Sequence, residues 1–263
     1  MIATKSGRLL LEERRRKIVE LVTKEGRITV EEIAQRFGVS SVTARADLDA
    51  LAKSGALVRS HGGAVSRLDP VQDYPVSFKE TLHHAEKVRI GQAAAKLLQP
   101  NQTVIIDSGT TTLEIARHLK VLKIKGLTVI TNALNIATEL AGVPNLSLIM
   151  IGGILRPVSS SFVGPQAERM LADLYADHSF LGVDGLDPEV GPTTPDILEA
   201  QLNSQMVRVS REVAIVADAS KIGRRSLSPI ASLSSIRRLI TDSRIDPDLV
   251  RIFQNKGLEV IVV

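Results

Sequence analysis

The run Val104-Ile105-Ile106-Asp107-Ser108-Gly109-Thr110-Thr111-Thr112-Leu113 sets an apolar stretch against one acid, one glycine and four hydroxyls. The apolar part predicts a short buried strand, and the threonines predict a helix opening at Thr111 or Thr112. The first turn of a helix carries N–H groups with no partner of their own. Together with the helix dipole they favour an anion, most often a phosphate. The same residues also suit an ordinary turn capped by Ser or Thr, so the rest of the chain must decide.

Four other polar turns follow apolar runs: Thr131-Asn132, Gly152-Gly153, Asp184-Gly185, and Asp218 with Ser220-Lys221. Strands are expected near 103–107, 127–131, 146–151, 178–183, 212–217, 237–241 and 258–262. Helices are expected near 111–120, 133–141, 164–174, 195–209 and 247–255, after a long helical pattern from Ser77 to Leu98 with Val88, Ile90, Ala94, Leu97 and Leu98 inside. Such alternation implies βα units and a mostly parallel sheet. Ligands bind such sheets at the carboxyl ends of the strands. Five polar turns on one edge therefore predict a shared pocket made by Asp107, Ser108, Gly109, Thr110, Thr111, Thr112, Asn132, Gly152, Gly153, Asp184 and Lys221. Lys221 is placed to neutralise a phosphate. Arg156 either assists it or is a surface charge in a loop.

Other chemistries leave little trace. There is no cysteine, hence no disulfide, no Cys-ligated metal and no Cys nucleophile. No His and carboxylate spacing suits a metal, and no cofactor is expected. His83 and His84 are adjacent on a predicted helix and point apart, while His118 and His178 are isolated, so all four read as structural. No apolar run of about 18 residues occurs, and Met1–Ser6 lacks a signal-peptide core. A cytoplasmic protein with no membrane partner is expected.

Charge separates the chain into two parts. Residues 1–67 hold 13 Lys/Arg against 8 Asp/Glu, and residues 68–263 hold 20 against 21. The basic excess lies wholly in the first quarter, which suits a polyanion partner for that part alone. Aromatics are only 3% and Trp is absent, which argues against recognition by base stacking. Residues 13–24 predict a first helix with Ile18, Leu21 and Val22 inside, ended by Gly26. After a short link, Arg27-Ile28-Thr29, Thr29 and Glu32 form a capping box for a second helix, which Gly38 stops. A third helix, Ser41 to Lys53, docks Ala44, Leu48, Leu51 and Ala52 and is ended by Gly55. Ser41, Val42, Thr43, Arg45, Ala46 and Asp49 stay outside. Two helices joined by Gly38-Val39-Ser40 make a helix-turn-helix. Residues 57–65 add a hairpin whose tip contains Gly-Gly, the wing of a winged helix. A three-helix interaction module with a solvated basic face is the alternative. Arg14 and Arg15 read either as phosphate contacts or as solvated charges.

The stretch from Arg14 to Val65 resembles the DNA-binding domain of DeoR-type bacterial transcriptional regulators. The matching pieces are Arg16-Lys17-Ile18, Gly26, Val30-Glu31-Glu32-Ile33-Ala34, Phe37-Gly38-Val39-Ser40, Thr43, Arg45, Asp47-Leu48, Leu51, Gly55 and Arg59-Ser60-His61-Gly62-Gly63-Ala64. One departure is Ala44-Arg45-Ala46-Asp47-Leu48 where the family usually has Ile-Arg-Arg-Asp-Leu. Ala46 implies one fewer phosphate or base contact. The resemblance assigns Ser41, Thr43 and Arg45 to the major groove and nearby phosphates, and Arg59 and His61 to the wing. It extends over residues 77–240 through Asp107 to Thr112, Thr131-Asn132, Gly152-Gly153, Ser160-Phe162-Val163-Gly164, Gly182-Val183-Asp184-Gly185 and Asp218-Ala219-Ser220-Lys221.

The resemblance implies an α/β effector domain with a mostly parallel, sugar-phosphate-isomerase-like sheet, preceded by a small winged helix-turn-helix domain. The expected bounds are 1–65 for the DNA-binding domain, 66–76 for the linker and 77–263 for the effector domain. The implied function is a transcriptional repressor of a carbohydrate operon, binding double-stranded operator DNA as a homodimer or homotetramer and released by a phosphorylated sugar. Gly191-Pro192-Thr193-Thr194-Pro195, with Glu199-Ala200, is similar to the amino-sugar branch of the family, including N-acetylgalactosamine use. The alternative is an active sugar-phosphate isomerase or deaminase fused to a DNA-binding module. Related isomerases carry an acidic pair, Gly-Ala-Asp-Glu, where this chain has Gly182-Val183-Asp184-Gly185. Asp187 and Glu189 lie close enough in sequence to stand in for the missing acid. A ligand-free scaffold is the third possibility, which the five polar turns disfavour.

Overall fold

The structure, a computed structural model, describes residues 11–53, 56–65, 73–80 and 82–263. Gly55, most of the expected linker and the Met1–Ser6 segment lie outside the described residues. The chain divides into two compact units, Met1–Asp69 and Pro70–Val263.

The first unit contains α1 (Leu11–Glu25), β1 (Arg27–Thr29), α2 (Val30–Phe37), α3 (Ser41–Lys53), β2 (Val58–Ser60) and β3 (Gly63–Val65). Ile18, Val22, Ile28, Val30, Ile33, Ala44, Leu48 and Leu57 form its core. The capping box at Thr29 and Glu32 is present, with Glu32 N donating to Thr29 Oγ1 at 3.1 Å and Thr29 N to Glu32 Oε2 at 2.7 Å. Gly38 ends α2 at φ 62°, a left-handed conformation that suits glycine. Arg27-Ile28-Thr29 is a strand rather than a link. It pairs with β3, giving a wing of three strands in the order β1-β3-β2. Ile28 is what the reading as a link overlooked: it is buried against the three helices, so the backbone beside it extends and pairs.

The second unit runs α4 (Val76–Glu80), α5 (His84–Ala95), β4 (Thr103–Ile106), α6 (Thr110–Leu122), β5 (Leu127–Thr131), α7 (Leu134–Leu140), β6 (Leu146–Met150), β7 (Ile154–Arg156), β8 (Ser161–Val163), α8 (Pro165–Ala172), β9 (Ala176–Leu181), β10 (Gly185–Asp187), β11 (Gly191–Thr194), α9 (Ile197–Arg208), β12 (Ser210–Val216), β13 (Ser228–Pro229), β14 (Arg238–Thr241), α10 (Pro247–Asn255) and β15 (Glu259–Val262). The seven expected strands form one parallel sheet, in the order β15-β14-β12-β9-β4-β5-β6. The chain fills one side of β4 with β5 and β6, then crosses to its other side with β9. The order therefore reverses between β4 and β9, the place where such sheets open a crevice. Asp107 follows β4 and Asp184 follows β9. Two apolar layers sandwich the sheet.

The helical pattern from Ser77 to Leu98 is two helices, not one. His83 stands between them at φ 50°, an uncommon conformation for a residue other than glycine. Its ring Nδ1 faces Arg244 Nη1 at 2.8 Å. That contact with a residue far along the chain offsets the local cost. His83 thus stands before α5 rather than inside a helix, and His84 is the first residue of α5. In α5 the buried face includes Lys87, Ile90 and Ala94, with Val88 only half-buried, and Leu98 is buried just after the helix. Among the described residues no helix is long and apolar enough to cross a membrane.

Candidate functional site

Gly109 opens α6, and no side chain caps it. Leu113 N is the first amide of the helix bonded back to the turn, to Gly109 O at 3.2 Å. The amides of Thr110 to Thr112 precede it, so they are the donors this turn can offer. Thr112 Oγ1 donates to Gly109 O at 3.0 Å. The turn lies against Gly182, where a Cβ would come within 3.0 Å of Ser108 O.

Asp107 is fully buried and accepts from Asn203 Nδ2 at 3.2 Å on one oxygen and from Ser108 Oγ at 3.4 Å on the other. Burial, and then the charge of Glu199, raise its carboxyl well above the ordinary range. Glu199 and Asn203 sit one turn apart on α9, so they present to the same side. Burial pushes the Glu199 carboxyl up to about 7, with Asp184 adding to the rise and Arg156 opposing it. Asn203 Oδ1 and Asn132 Oδ1 are both buried with no hydrogen-bond partner. Asn132 donates its amide to Phe162 O at 3.1 Å.

Asp184 carries the positive side of the site. Its Oδ1 accepts from Lys79 Nζ at 2.9 Å and from Lys221 Nζ at 3.3 Å. Burial alone would raise this carboxyl, but the two ammonium groups hold it below the usual range. Behind them, Lys87 is buried on α5 and donates to the Lys79 carbonyl. Burial brings the Lys87 ammonium down to about 8, Asp218 opposing the fall and Lys221 and Lys79 adding to it.

Arg156 is neither a surface charge nor a spare cation. It pairs with Asp73, with Asp196 Oδ2 at 3.2 Å and with Glu199 Oε2 at 3.1 Å. The structure therefore brings Asp107, Asp184, Lys221 and the 108–112 turn to one edge. Gly153 has a packing role of its own. Gly153 adopts φ 152°, and a Cβ there would meet Val163 O at 2.6 Å, so it lets β8 approach. Lys79, Lys87, Glu199 and Asn203 join these groups although none of them stands at a strand end. Lys87 had a signal, since it completes the 87-90-94-98 helical spacing with a charge on the buried face.

Glu199 binds its proton more tightly in the folded chain than at its ordinary value of 4.5. The stability it contributes is complete at low pH and is lost as pH rises toward about 7. Glu199→Gln should therefore give a shallower fall of melting temperature across that window. An unchanged slope would assign the titration to other groups.

In the first unit, Ser41 and Arg45 are exposed and Thr43 is half-exposed on α3, and His61 is exposed at the wing tip. Ser40 Oγ accepts from Thr43 N at 3.1 Å and so caps α3. Arg59 is already engaged, bonding Asp49 Oδ1 at 2.9 Å and the Gly63 carbonyl. Arg14 and Arg15 are not solvated charges. Both bond buried Asp47, Arg14 Nε to Oδ2 at 2.6 Å and Arg15 Nε to Oδ1 at 3.0 Å. They fasten α1 to α3. Among the described residues no group of three His, Cys, Asp or Glu side chains is arranged for a metal ion.

Residues 14–68 match the family model described as a DeoR-like helix-turn-helix domain. Residues 82–243 match the one described as the DeoR C terminal sensor domain. A protein of Escherichia coli O157:H7 named "Putative aga operon transcriptional repressor" is 39% identical over 253 residues, 95% of this chain and 93% of that one. A regulator of Bacillus subtilis named "Uncharacterized HTH-type transcriptional regulator YulB" is 39% identical over 255 residues, 97% and 98% of the two chains. Among solved structures, ribose 5-phosphate isomerase A from Methanocaldococcus jannaschii is similar at TM-score 0.38 and 13% identity, over 52% of this chain and 53% of that one. A helix-turn-helix unit, a sensor unit with its sheet-edge site and relatives of nearly full length agree: the chain belongs to the DeoR family of transcriptional regulators.

Proposed function

We propose that this chain represses a carbohydrate operon and is released from its operator by a phosphorylated sugar bound at the carboxyl edge of the parallel sheet. Residues 1–65 bind DNA, 66–76 connect, and 77–263 bind the effector, Asp73 and Val76 being bonded into the latter. The observation that carries the reading is one oxygen of Asp184 shared by Lys79 and Lys221 beside the uncapped turn 108–112. Cations and free amides at a helix N-terminus suit a phosphate. Asp107, Glu199 and the unpartnered Asn132 and Asn203 oxygens are acceptors for the hydroxyl or amino groups of a sugar. The Gly191 to Pro195 motif, similar to the amino-sugar branch of the family, favours an amino-sugar phosphate. Ser41, Thr43, Arg45 and His61 face DNA, Arg59 stiffens the wing, and a homodimer or homotetramer places two wings on a repeated site.

Arg45→Ala should weaken operator binding about tenfold or more and leave the thermal shift by a sugar phosphate intact. Lys221→Met should bind operator normally and lose both the shift and the release. Loss of effector binding in Arg45→Ala would refute this division of labour. A second reading, a sugar-phosphate isomerase or deaminase, draws on the buried Asp107 beside a Glu199 poised near neutrality. Product formation by the wild-type chain, with no operator response, would favour it.

A further inference from the structure

Lys79 differs from its neighbours in where it stands. Lys221 belongs to the 3-10 turn Ala219–Lys221, fixed after a central strand. Lys79 belongs to α4, five residues long and separated by only a few residues from Asp69, where the first unit ends. A helix of one turn does not hold itself in place, so its position depends on bonds to its surroundings. Several of those made by the Asp73–Glu80 segment are ionic, and through Lys79 one reaches the site. Asp73 pairs with Arg156 and, at 3.6 Å, with Lys79. Lys79 pairs with Asp184, and Lys87 donates to the Lys79 carbonyl. Val76 N donates to Val158 O at 2.7 Å, and Glu80 accepts from Arg117 Nη2 at 2.8 Å.

Lys79 and Lys221 share one oxygen of Asp184, and Lys79 also reaches Asp73. Burial alone would lower the Lys79 ammonium, but these carboxylates hold it above its usual range, so only a stronger anion can draw it away. A phosphate monoester brings nearly two negative charges and three acceptor oxygens, and it can take both lysines at once. Taking Lys79 changes the one ionic bond that ties α4 to Asp184.

We infer that Lys79 is a further ligand of the effector's phosphate, and that its transfer from Asp184 to the phosphate shifts the Asp73–Glu80 segment that leads to the DNA-binding unit. This rests on the phosphorylated-effector reading above. Unphosphorylated sugars leave the segment in place, because they bring Lys79 no anion to compete with Asp184.

The test uses the full chain with galactosamine 6-phosphate, glucose 6-phosphate, inorganic phosphate and unphosphorylated galactosamine as probes. Hydrogen exchange of the wild-type chain should change severalfold in the peptide covering 73–80 with a phosphate ester that raises the melting temperature, and stay constant with galactosamine. Lys79→Met should weaken that ester at least about tenfold, the loss of one charge-assisted bond. Lys79→Arg, which keeps the charge, should retain most of the affinity, and Lys120→Met, at an exposed pair with Glu139, should retain all of it. Wild-type affinity in a folded Lys79→Met, or a bound ester that leaves exchange at 73–80 unchanged, would overturn the inference while sparing the effector reading. No response of the wild-type chain to any ester, or full affinity in Lys221→Met, would remove the effector reading and this inference with it.

Discussion

Asp47→Ala should abolish DNA binding at physiological temperature without altering a single residue on the groove face. Asp47 is 1% exposed and holds Arg14, itself 7% exposed, at 2.6 Å. Removing the carboxylate leaves the Arg14 guanidinium buried and unpaired by it, a loss of about 3–5 kcal/mol for a fully buried pair. The Arg15 half of the cluster is a quarter exposed and contributes less, because water screens it. A net loss of about 3 kcal/mol is expected. A unit of this size has a total stability of only a few kcal/mol, so the change consumes most of it. Calorimetry of the full chain should show the transition of the first unit fall by tens of degrees or vanish, with that of the second unit unmoved. Asp47→Asn, which keeps two polar atoms, should lie between. Arg45→Ala is the contrast: it loses operator affinity with both transitions in place. If Asp47→Ala kept its first transition and still lost DNA, the acid would be part of the interface rather than its scaffold.

This cluster also marks where the sequence stops being legible. Asp47 stands in the middle of α3 at the 44-47-48-51 spacing of its buried face, and its partners lie 33 and 32 residues away. Nothing local announces which cations pair with it there. Most of the seven strands were legible because each contains a short apolar run, such as Val104-Ile105-Ile106 or Val213-Ala214-Ile215-Val216, as buried parallel strands tend to. Glycine and threonine chemistry was legible at Gly38 and Thr29, where a cap satisfies itself within three or four residues. The small sheet β10-β11-β13 was not, since Gly191-Pro192-Thr193-Thr194 has no apolar run or alternation. The break at His83 was not either, because Arg244 fixes it from 161 residues away. Within the site, strand ends could be read in order, whereas Glu199 and Asn203 matter only once α9 is laid over Asp107, a pairing 96 residues apart in sequence.

Gly185→Ala should lower the melting transition of the second unit by several degrees, and Gly185→Glu should do so further without conferring turnover. The position invites the experiment because the isomerase alternative drawn from the sequence expects a second acid there. The backbone forbids it. A Cβ on Gly185 would lie 2.5 Å from Arg224 O and 2.7 Å from Thr193 Oγ1. Thr193 Oγ1 has no freedom to retreat, since it donates to Gly185 O at 3.1 Å and accepts from Ser226 N at 2.8 Å. Overpacking of this kind costs about 1–3 kcal/mol, and each displaced hydrogen bond about 1 more. The two acids nearest in sequence give no substitute. Asp187 accepts from the Glu189 and Val190 amides and from Arg225 Nε at 2.6 Å, which lowers its carboxyl and removes it as a base. Glu189 is largely exposed and pairs with Lys256. Asp184 itself is held ionised by two lysines, a state that suits organising cations better than taking a proton. A neutral Gly185→Ala, or isomerisation of any sugar phosphate by the wild-type chain, would reverse this conclusion. The expected pair of results, loss of stability without gain of chemistry, would mean that the turn after β9 is built to hold Asp184 against Lys79 and Lys221 and to leave the effector unchanged.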